Sequence, residues 1–538
     1  MFKIKKKQSP VNKRCLATGR QTRNAFIFSI GKCLIFLFLL VSFSKSTFAQ
    51  KQKPNIIVFL VDDMGWEDTS VPFWTQVTEW NKLYHTPNME RLAKEGMKFT
   101  NAYGAPVCTP SRTAMLSGMN PAHTKITSWT ATEKNKNTDA PDEQFAPANW
   151  NINGLSPVPG VEKTWYATPF PKILKDAGYF TIHVGKGHWA PAGTSGANPH
   201  NMGFIVNIAG HAAGNPRSYL GKENYGNLMP HPTLREVPDM EEYFGTDTFL
   251  TEALTREALK ALEEPIKHKQ PFFLNMCHYA VHVPIQADKR FVKKYLDKGI
   301  NITEAAYASM VEGMDKSLGD IMDYLKKKGV DKNTVIIFMS DNGGLSLASE
   351  RGGKNETQNL PLKAGKGSVY EGGIREPMIV KYPGVVKPAT VANQYIIIED
   401  FFPTILELAG IKNYKAIQQI DGKSFVPVLK NPNYVDSSRT LIFDYPNKWQ
   451  TLKNELGMNY FSAIRKGDWK VVYSMRTGKS ELYNLKKDIG EINDLSTQYP
   501  EKTKELTDLL GKQLKQWNAP MPADKSTGKT IAYPGENQ

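Results

Sequence analysis

Residues 55–61, Asn-Ile-Ile-Val-Phe-Leu-Val, form a continuous apolar run rich in β-branched side chains, and the run stops at Asp62-Asp63-Met64-Gly65. An unbroken run of this kind reads as a strand buried on both faces, as in a parallel sheet covered by helices. The pattern recurs. Residues 178–184 end at Gly185-Lys186-Gly187-His188, and residues 271–276 lead to His278 and His282. Residues 334–339 end at Ser340-Asp341-Asn342-Gly343-Gly344, and residues 377–382 form a further strand. Helical periodicity or helix-start signals fall between them, near 88–95, from Thr109-Pro110-Ser111 onward, and over 170–177, 247–262, 304–328 and 397–408. Residues 123–165 and 190–240 read as irregular. Strands alternating with helices, with polar residues just past the strand ends, predict an α/β fold whose ligands gather at the carboxyl edge of the sheet.

The pattern changes after Asn431-Pro432-Asn433. Residues 440–443, 461–465, 469–474 and 481–485 read as short antiparallel strands, followed by a helix over 502–517. The expected organisation is a catalytic α/β domain over 50–430 with a large mixed, mostly parallel sheet. A smaller α+β subdomain with an antiparallel sheet follows over 431–520, and a loose tail over 521–538.

Residues 1–49 carry ten Lys/Arg and no acidic residue, then an apolar run over 33–43 and Ser46-Thr47-Phe48-Ala49 before Gln50. This is the layout of a signal peptide cleaved after Ala49. The apolar run is about half of the roughly 20 residues that a membrane span needs, so export to the periplasm or the medium is expected, without stable membrane insertion. An uncleaved anchor over 25–43 is the alternative, and Lys32 interrupts it. The remaining chain holds 58 basic and 53 acidic residues. That balance suits an anionic substrate without demanding one. No clustered basic stripe points to nucleic acid. Two cysteines, Cys108 and Cys277, lie beyond the leader, and an exported chain could join them in a disulfide.

Asp62-Asp63 and Asp341-Asn342, each following a matching strand, offer an all-oxygen set suited to Ca²⁺ or Mg²⁺. Either motif alone is as easily a strand-capping turn. Cys108 precedes Thr109-Pro110-Ser111-Arg112, and a cysteine at a helix N-terminus is expected to have a lowered pKa. Arg112, one turn along, is placed to hold an oxyanion. Alone, Cys108 reads either as a thiol nucleophile or as a buried structural residue.

Taken together, Cys108-Thr-Pro-Ser-Arg-Thr-Ala-Met-Leu-Ser-Gly118 resembles the signature of the type I sulfatases, members of the alkaline phosphatase superfamily. Asp62-Asp63, Lys186-Gly187-His188, His282-Val283-Pro284, Asp341-Asn342-Gly343 and 365–377 resemble the family's other motifs, in order. Leu482-Tyr483-Asn484-Leu485, with Asp488 and Glu491, is similar to its C-terminal strand and turn. The resemblance runs from Lys53 to about Trp517. Gly187 and Trp189-Ala190 depart from it, standing where Trp and Leu-Gly are usual.

The resemblance implies that a maturing enzyme oxidises Cys108 to formylglycine (3-oxoalanine), whose hydrate attacks sulfur, forms an enzyme–sulfate ester and then expels sulfate. It implies one divalent cation, Ca²⁺ before Mg²⁺, held by Asp62, Asp63, Asp341, Asn342 and the modified residue 108. Arg112, Lys186 and Lys366 would surround the sulfate, with Lys186, Lys366 and His282 touching substrate. His282 would protonate the leaving alcohol, and His188 would take a proton in the elimination step. His211 is a further substrate-binding candidate, while His183 and His278 read as structural. The shared motifs do not choose among the family's sulfated sugars, steroids, aryl esters and lipids. Trp129, Trp150, Trp165, Trp189, His200, His211 and Arg217 in the loops over 123–240, with the export signal, point to a sulfated carbohydrate, of algal galactan or ulvan type or a glycosaminoglycan, handled by a bacterial polysaccharide-type sulfatase. The rival readings are a broad arylsulfatase, a phosphodiester or phosphonate monoester hydrolase, and a silent sugar-binding homologue.

Overall fold

The computed structural model describes residues 52–345, 359–449 and 457–536. The proposed leader lies outside them. Residues Lys53–Gln538 form one unit. Its main sheet has nine strands: β1 Asn55–Val61, β2 Met97–Tyr103, β3 Phe180–Gly185, β4 Val206–Ile208, β5 Phe272–Cys277, β6 Thr334–Ser340, β7 Arg375–Lys381, β8 Thr390–Ala392 and β9 Ile396–Ile397. The order is β8-β2-β7-β6-β1-β5-β3-β4, with β9 also paired to β2. The centre is parallel, since β1 pairs with both β5 and β6 in that sense. Strand β7 runs antiparallel to both β6 and β2, which makes the sheet mixed.

Side chains of a strand alternate between faces, and β1 shows where the two cores lie. Ile57, Phe59 and Val61 enter one apolar cluster with α4 (Leu250–Lys267) and α5 (Ile302–Lys327). Ile56, Val58 and Leu60 enter another with α2 (Cys108–Ser117), α3 (Phe170–Asp176) and α6 (Phe401–Leu408). Helix α1 (Pro87–Glu95) joins the first layer through Met89 and Leu92.

Strand β2 was not legible in the sequence. Its residues, Met-Lys-Phe-Thr-Asn-Ala-Tyr, are half polar, and its register shifts between Phe99 and Ala102. It sits away from the sheet centre, where one side can remain polar.

The second sheet is antiparallel, in the order β10 (Thr440–Tyr445), β11 (Phe461–Lys466), β12 (Trp469–Ser474), β13 (Ser480–Asn484). One face packs through Ile442, Ile464, Val471 and Leu482 on α7 (Pro500–Gln516), by way of Leu506, Leu510 and Leu514. The other packs through Phe443, Ala463 and Val472 on Tyr103, Val369 and Tyr370. Between the sheets, Lys470 Nζ is fully buried 2.9 Å from Glu371 and 2.8 Å from Glu491. Among the described residues, no helix is long and apolar enough to cross a membrane.

Candidate active site

Because β1 and β6 are adjacent and in register from Asn55↔Thr334 to Val61↔Ser340, the residues that follow them emerge side by side. Carboxylate oxygens of Asp62, Asp63 and Asp341 all lie within 4.8 Å of one another, and all three residues are buried. The Asp63 amide donates to Asp341 Oδ1 at 3.3 Å, and Asn342 Nδ2 donates to Asp63 Oδ1 at 2.8 Å. That hydrogen bond orients the Asn342 amide and leaves its Oδ1 buried without a hydrogen-bond partner, as is Asp62 Oδ1. Buried acceptors are rarely left so. Three carboxylates and two open oxygens form a hard donor set that fits a divalent cation.

Three cations surround this set. Lys186 Nζ donates to Asp62 Oδ2 at 2.7 Å, and Lys366 Nζ to Asp63 Oδ2 at 2.7 Å. Arg112 is 1% exposed. Its Nε donates to Asp341 Oδ2 at 2.8 Å and its Nη1 to the Lys186 carbonyl at 3.0 Å, while its Nη2 stands 3.7 Å from Asp62 Oδ1. Burial raises the Asp62 pKa, opposed by Lys186. Burial also pushes Asp63 up, but His282, Lys366 and Lys186 outweigh it and hold Asp63 below the usual carboxylate range. Behind them Glu376, at the start of β7, is fully buried with both carboxyl oxygens lacking hydrogen-bond partners. Burial, reinforced by Asp341 and Asp63, holds it well above the ordinary range, as a neutral acid.

Cys108 is the first residue of α2 and is 3% exposed. Its thiol pKa is raised, which corrects the expectation from helix position alone. Burial outweighs the attraction of Lys186 and Lys366. No disulfide forms, since Cys108 and Cys277 are both free. Cys108 Sγ lies 3.4 Å from His188 Nδ1. His188 Nε2 donates to the Thr130 carbonyl at 3.0 Å, so the lone pair of Nδ1 faces the sulfur. Burial and then Lys186 pull His188 well below the ordinary imidazole range, which keeps it neutral. Its ring rests on Gly214, where a Cβ would sit 2.5 Å from Cε1, so only glycine fits there.

His282 Nδ1 lies 3.1 Å from the Val283 carbonyl, and its Nε2 stands 3.5 Å from Asp63 Oδ2. Burial lowers His282 to about 3, against the pull of Asp63.

Cys108, His188, His282, Lys366 and Asp63 meet at a cavity of about 230 Å³. Its remaining wall includes Trp129, Thr132, Asn215, Arg235 and Trp449. Of these, only Trp129 is among the loop residues to which the sequence points. Asn215, Arg235 and Trp449 follow no strand end, so the pattern that revealed the carboxylates says nothing of them.

His211 does not line this cavity. Its Nε2 donates to the Glu236 carbonyl at 3.0 Å, its Nδ1 accepts from the Ala213 amide at 3.0 Å, and its carbonyl accepts from the His188 amide at 3.1 Å. With both ring nitrogens engaged by backbone, it ties loops together and has none free for substrate. His183 bonds the Gly185 carbonyl and Asn275, and His278 bonds Ser317, as structural histidines do. Trp189, displaced by two positions from the usual aromatic, is buried and stacks on Phe204 at 5.9 Å.

A family model described as Sulfatase matches residues 54–411, and one described as "N-sulphoglucosamine sulphohydrolase, C-terminal" matches residues 365–519. A protein named Sulfatase from Formosa agariphila is 30% identical over 533 residues, covering 90% of this chain and 92% of that one. The N-acetylgalactosamine-6-sulfatase of Homo sapiens is 31% identical over 395 residues, covering 72% and 67%. The crystal structure of Ps i-CgsB in complex with k-i-k-neocarrahexaose superimposes with a TM-score of 0.65 at 27% identity, covering 86% and 93%. A structure in complex with D-glucosamine-2-N,6-O-disulfate shares the fold, with a TM-score of 0.57 at 20% identity over 87% and 98%.

Proposed function

The chain belongs to the sulfatase family, and from that membership we propose that it removes O-sulfate groups from oligosaccharides of sulfated polysaccharides, whether algal galactans or ulvan or glycosaminoglycans. It is a sulfuric ester hydrolase. The carbohydrate reading draws on relatives named for N-acetylgalactosamine 6-sulfate and on a neighbour solved with a carrageenan-type hexaose. Flat indole faces at Trp129 and Trp449, beside Thr132 and Asn215, are a chemistry suited to a sugar ring with its hydroxyls. Export by the leader, through the periplasm or beyond it, is part of the same proposal.

The observation that carries the mechanism is the placement of Cys108 Sγ 3.4 Å from a neutral His188, in the cavity that Asp63 and Lys366 also line. Matured to formylglycine and hydrated, position 108 supplies one hydroxyl to attack sulfur and a second whose deprotonation expels sulfate and restores the aldehyde. Asp62, Asp63, Asp341 and Asn342, beside the modified residue 108, would hold a calcium ion, which would supply Lewis-acid stabilisation of the developing negative charge.

The protein's own residues do the rest. Arg112, Lys186 and Lys366 are fixed by carboxylates before substrate arrives, so their charge acts without reorganisation as negative charge builds on the transferring group. His188, neutral and with Nδ1 facing position 108, accepts the proton of the elimination step. His282 is neutral in the free site. The sulfate anion entering beside it favours its protonated form, and it then donates to the leaving alcohol.

The test uses protein from a host that carries a formylglycine-generating or sulfatase-maturing enzyme. The mass of the peptide spanning residue 108 should show conversion of thiol to aldehyde, and turnover should favour aryl sulfate over aryl phosphate. Turnover by the unconverted thiol form, or a preference for phosphate, would overturn the proposal.

A further inference from the structure

We propose that Arg235 anchors a second negative charge on the substrate, so that the sugar losing its sulfate bears another acidic group or is linked to a unit that does. This rests on the sulfatase reading and extends it to the part of the substrate that leaves.

Charge balance around the scissile group comes first. Arg112, Lys186 and Lys366 are matched one to one by Asp341, Asp62 and Asp63. Each of these side chains is thus already held by a carboxylate around the scissile group. Arg235 lies on the same cavity wall and is exposed. Among the described residues, its guanidinium has neither an ion-pair nor a hydrogen-bond partner. The adjacent acid does not neutralise it. Glu236 Oε1 instead accepts from Arg217 Nη1 at 3.0 Å and from the Thr233 amide at 2.7 Å.

The second part is placement. The Arg235 carbonyl accepts from the Arg217 amide at 2.9 Å, its amide donates to Thr233 Oγ1 at 3.3 Å, and the next carbonyl, of Glu236, accepts from His211 Nε2 at 3.0 Å. The Ala213 amide donates to that same imidazole, one residue before the Gly214 that supports His188. The backbone is thus tied to the loop that positions a proposed catalytic histidine, while the charge is left open at the cavity. A guanidinium fork fits carboxylate and sulfate equally well.

The test compares three substrates on mature wild-type enzyme and on Arg235→Gln: a monosulfated neutral sugar glycoside, the same sulfated sugar linked to a uronic acid, and a disulfated sugar. In the wild type, kcat/KM should be higher for at least one dianionic substrate than for the monosulfate. In the variant that ratio should fall by roughly 10- to 100-fold, mainly through KM, as for loss of a charged hydrogen bond. Added salt should erode the wild-type preference and leave the variant nearly unaffected. Arg235→Lys should keep part of the preference. The arm showing the loss identifies the group as carboxylate or sulfate. A ratio unchanged within about twofold in both arms, or a wild type preferring the monosulfate, would overturn the proposal. Failure of the converted wild type on every sulfate ester would instead refute the sulfatase reading, a result distinct from an unchanged ratio.

Discussion

Two of the buried charge clusters among the described residues differ in what they leave open. At the join between the sheets, Lys470 is clamped by Glu371 and Glu491, while Glu371 also accepts from Tyr103 at 2.7 Å and from Arg375 at 3.2 Å. Every residue in that cluster holds another residue. At the edge of the main sheet, Asp62, Asp63 and Asp341 hold three cations, yet Asp62 Oδ1 and Asn342 Oδ1 have no hydrogen-bond partner. The first arrangement is complete as protein and serves as structure. The second is complete only with something added. Burial and ion pairing are common to both, so neither property marks a functional site. The convergence of three carboxylates with an open amide oxygen at the edge of a cavity does.

The sharpest break of this contrast is Cys108→Ala, which should abolish sulfate-ester turnover in the mature enzyme while thermal unfolding stays close to wild type. Substantial residual activity would remove position 108 from the mechanism. Next in size is Asp341→Ala, which should lose bound metal by elemental analysis together with nearly all activity. Exhaustive chelation of the wild type should do the same and also lower Tm, because an ion that binds only the folded state stabilises it by mass action. Unchanged Tm and activity after chelation would argue against a cation at this edge.

At the other cluster, Lys470→Met should destabilise the fold by about 3–5 kcal/mol in denaturant unfolding, since it leaves the buried Glu491 without a cation and Glu371 with Arg375 alone. Metal content per folded molecule should not change. If metal were lost as well, the two clusters would not be independent.

The smallest effect concerns Asp444, on β10, whose Oδ1 accepts from Ser462 at 2.6 Å and whose other oxygen is buried without a hydrogen-bond partner. Burial raises it to about 7 from an unfolded value of 3.8. A carboxyl raised on folding costs the folded state nothing below the unfolded value. It costs progressively more as pH rises toward the folded value, and no more above that. The Tm advantage of Asp444→Asn over wild type should therefore be small at pH 4, grow up to about pH 7 and then level off. A constant difference across that range would show that Asp444 ionises normally.

Much of the site was legible because it obeys strand periodicity. Apolar runs ending in acid, amide or histidine announced β1, β3, β5 and β6, and adjacency in a parallel sheet brought Asp62, Asp63, Asp341 and Asn342 together. The substrate wall was not legible. Trp449 and Arg235 reach the cavity from loops whose paths are set by contacts distant in sequence, such as the Ala140 N–H to the carbonyl of Lys448, next to Trp449, at 2.7 Å. His211 was misplaced for a related reason. Its neighbours in sequence suggest a binding loop, and only the folded chain reveals that both of its nitrogens are taken by backbone. The thiol pKa at Cys108 was read from one local rule, and burial reversed it.

Asp63 and Asp341 touch across 278 positions of chain. During synthesis from the N-terminus, the first half of the ion's nest therefore waits for most of the polypeptide to emerge. A fragment ending before β6 carries two of the three carboxylates and no chelate. Occupancy by the proposed cation would then act as a certificate that the centre of the sheet has closed, delivered only after β1 and β6 have paired.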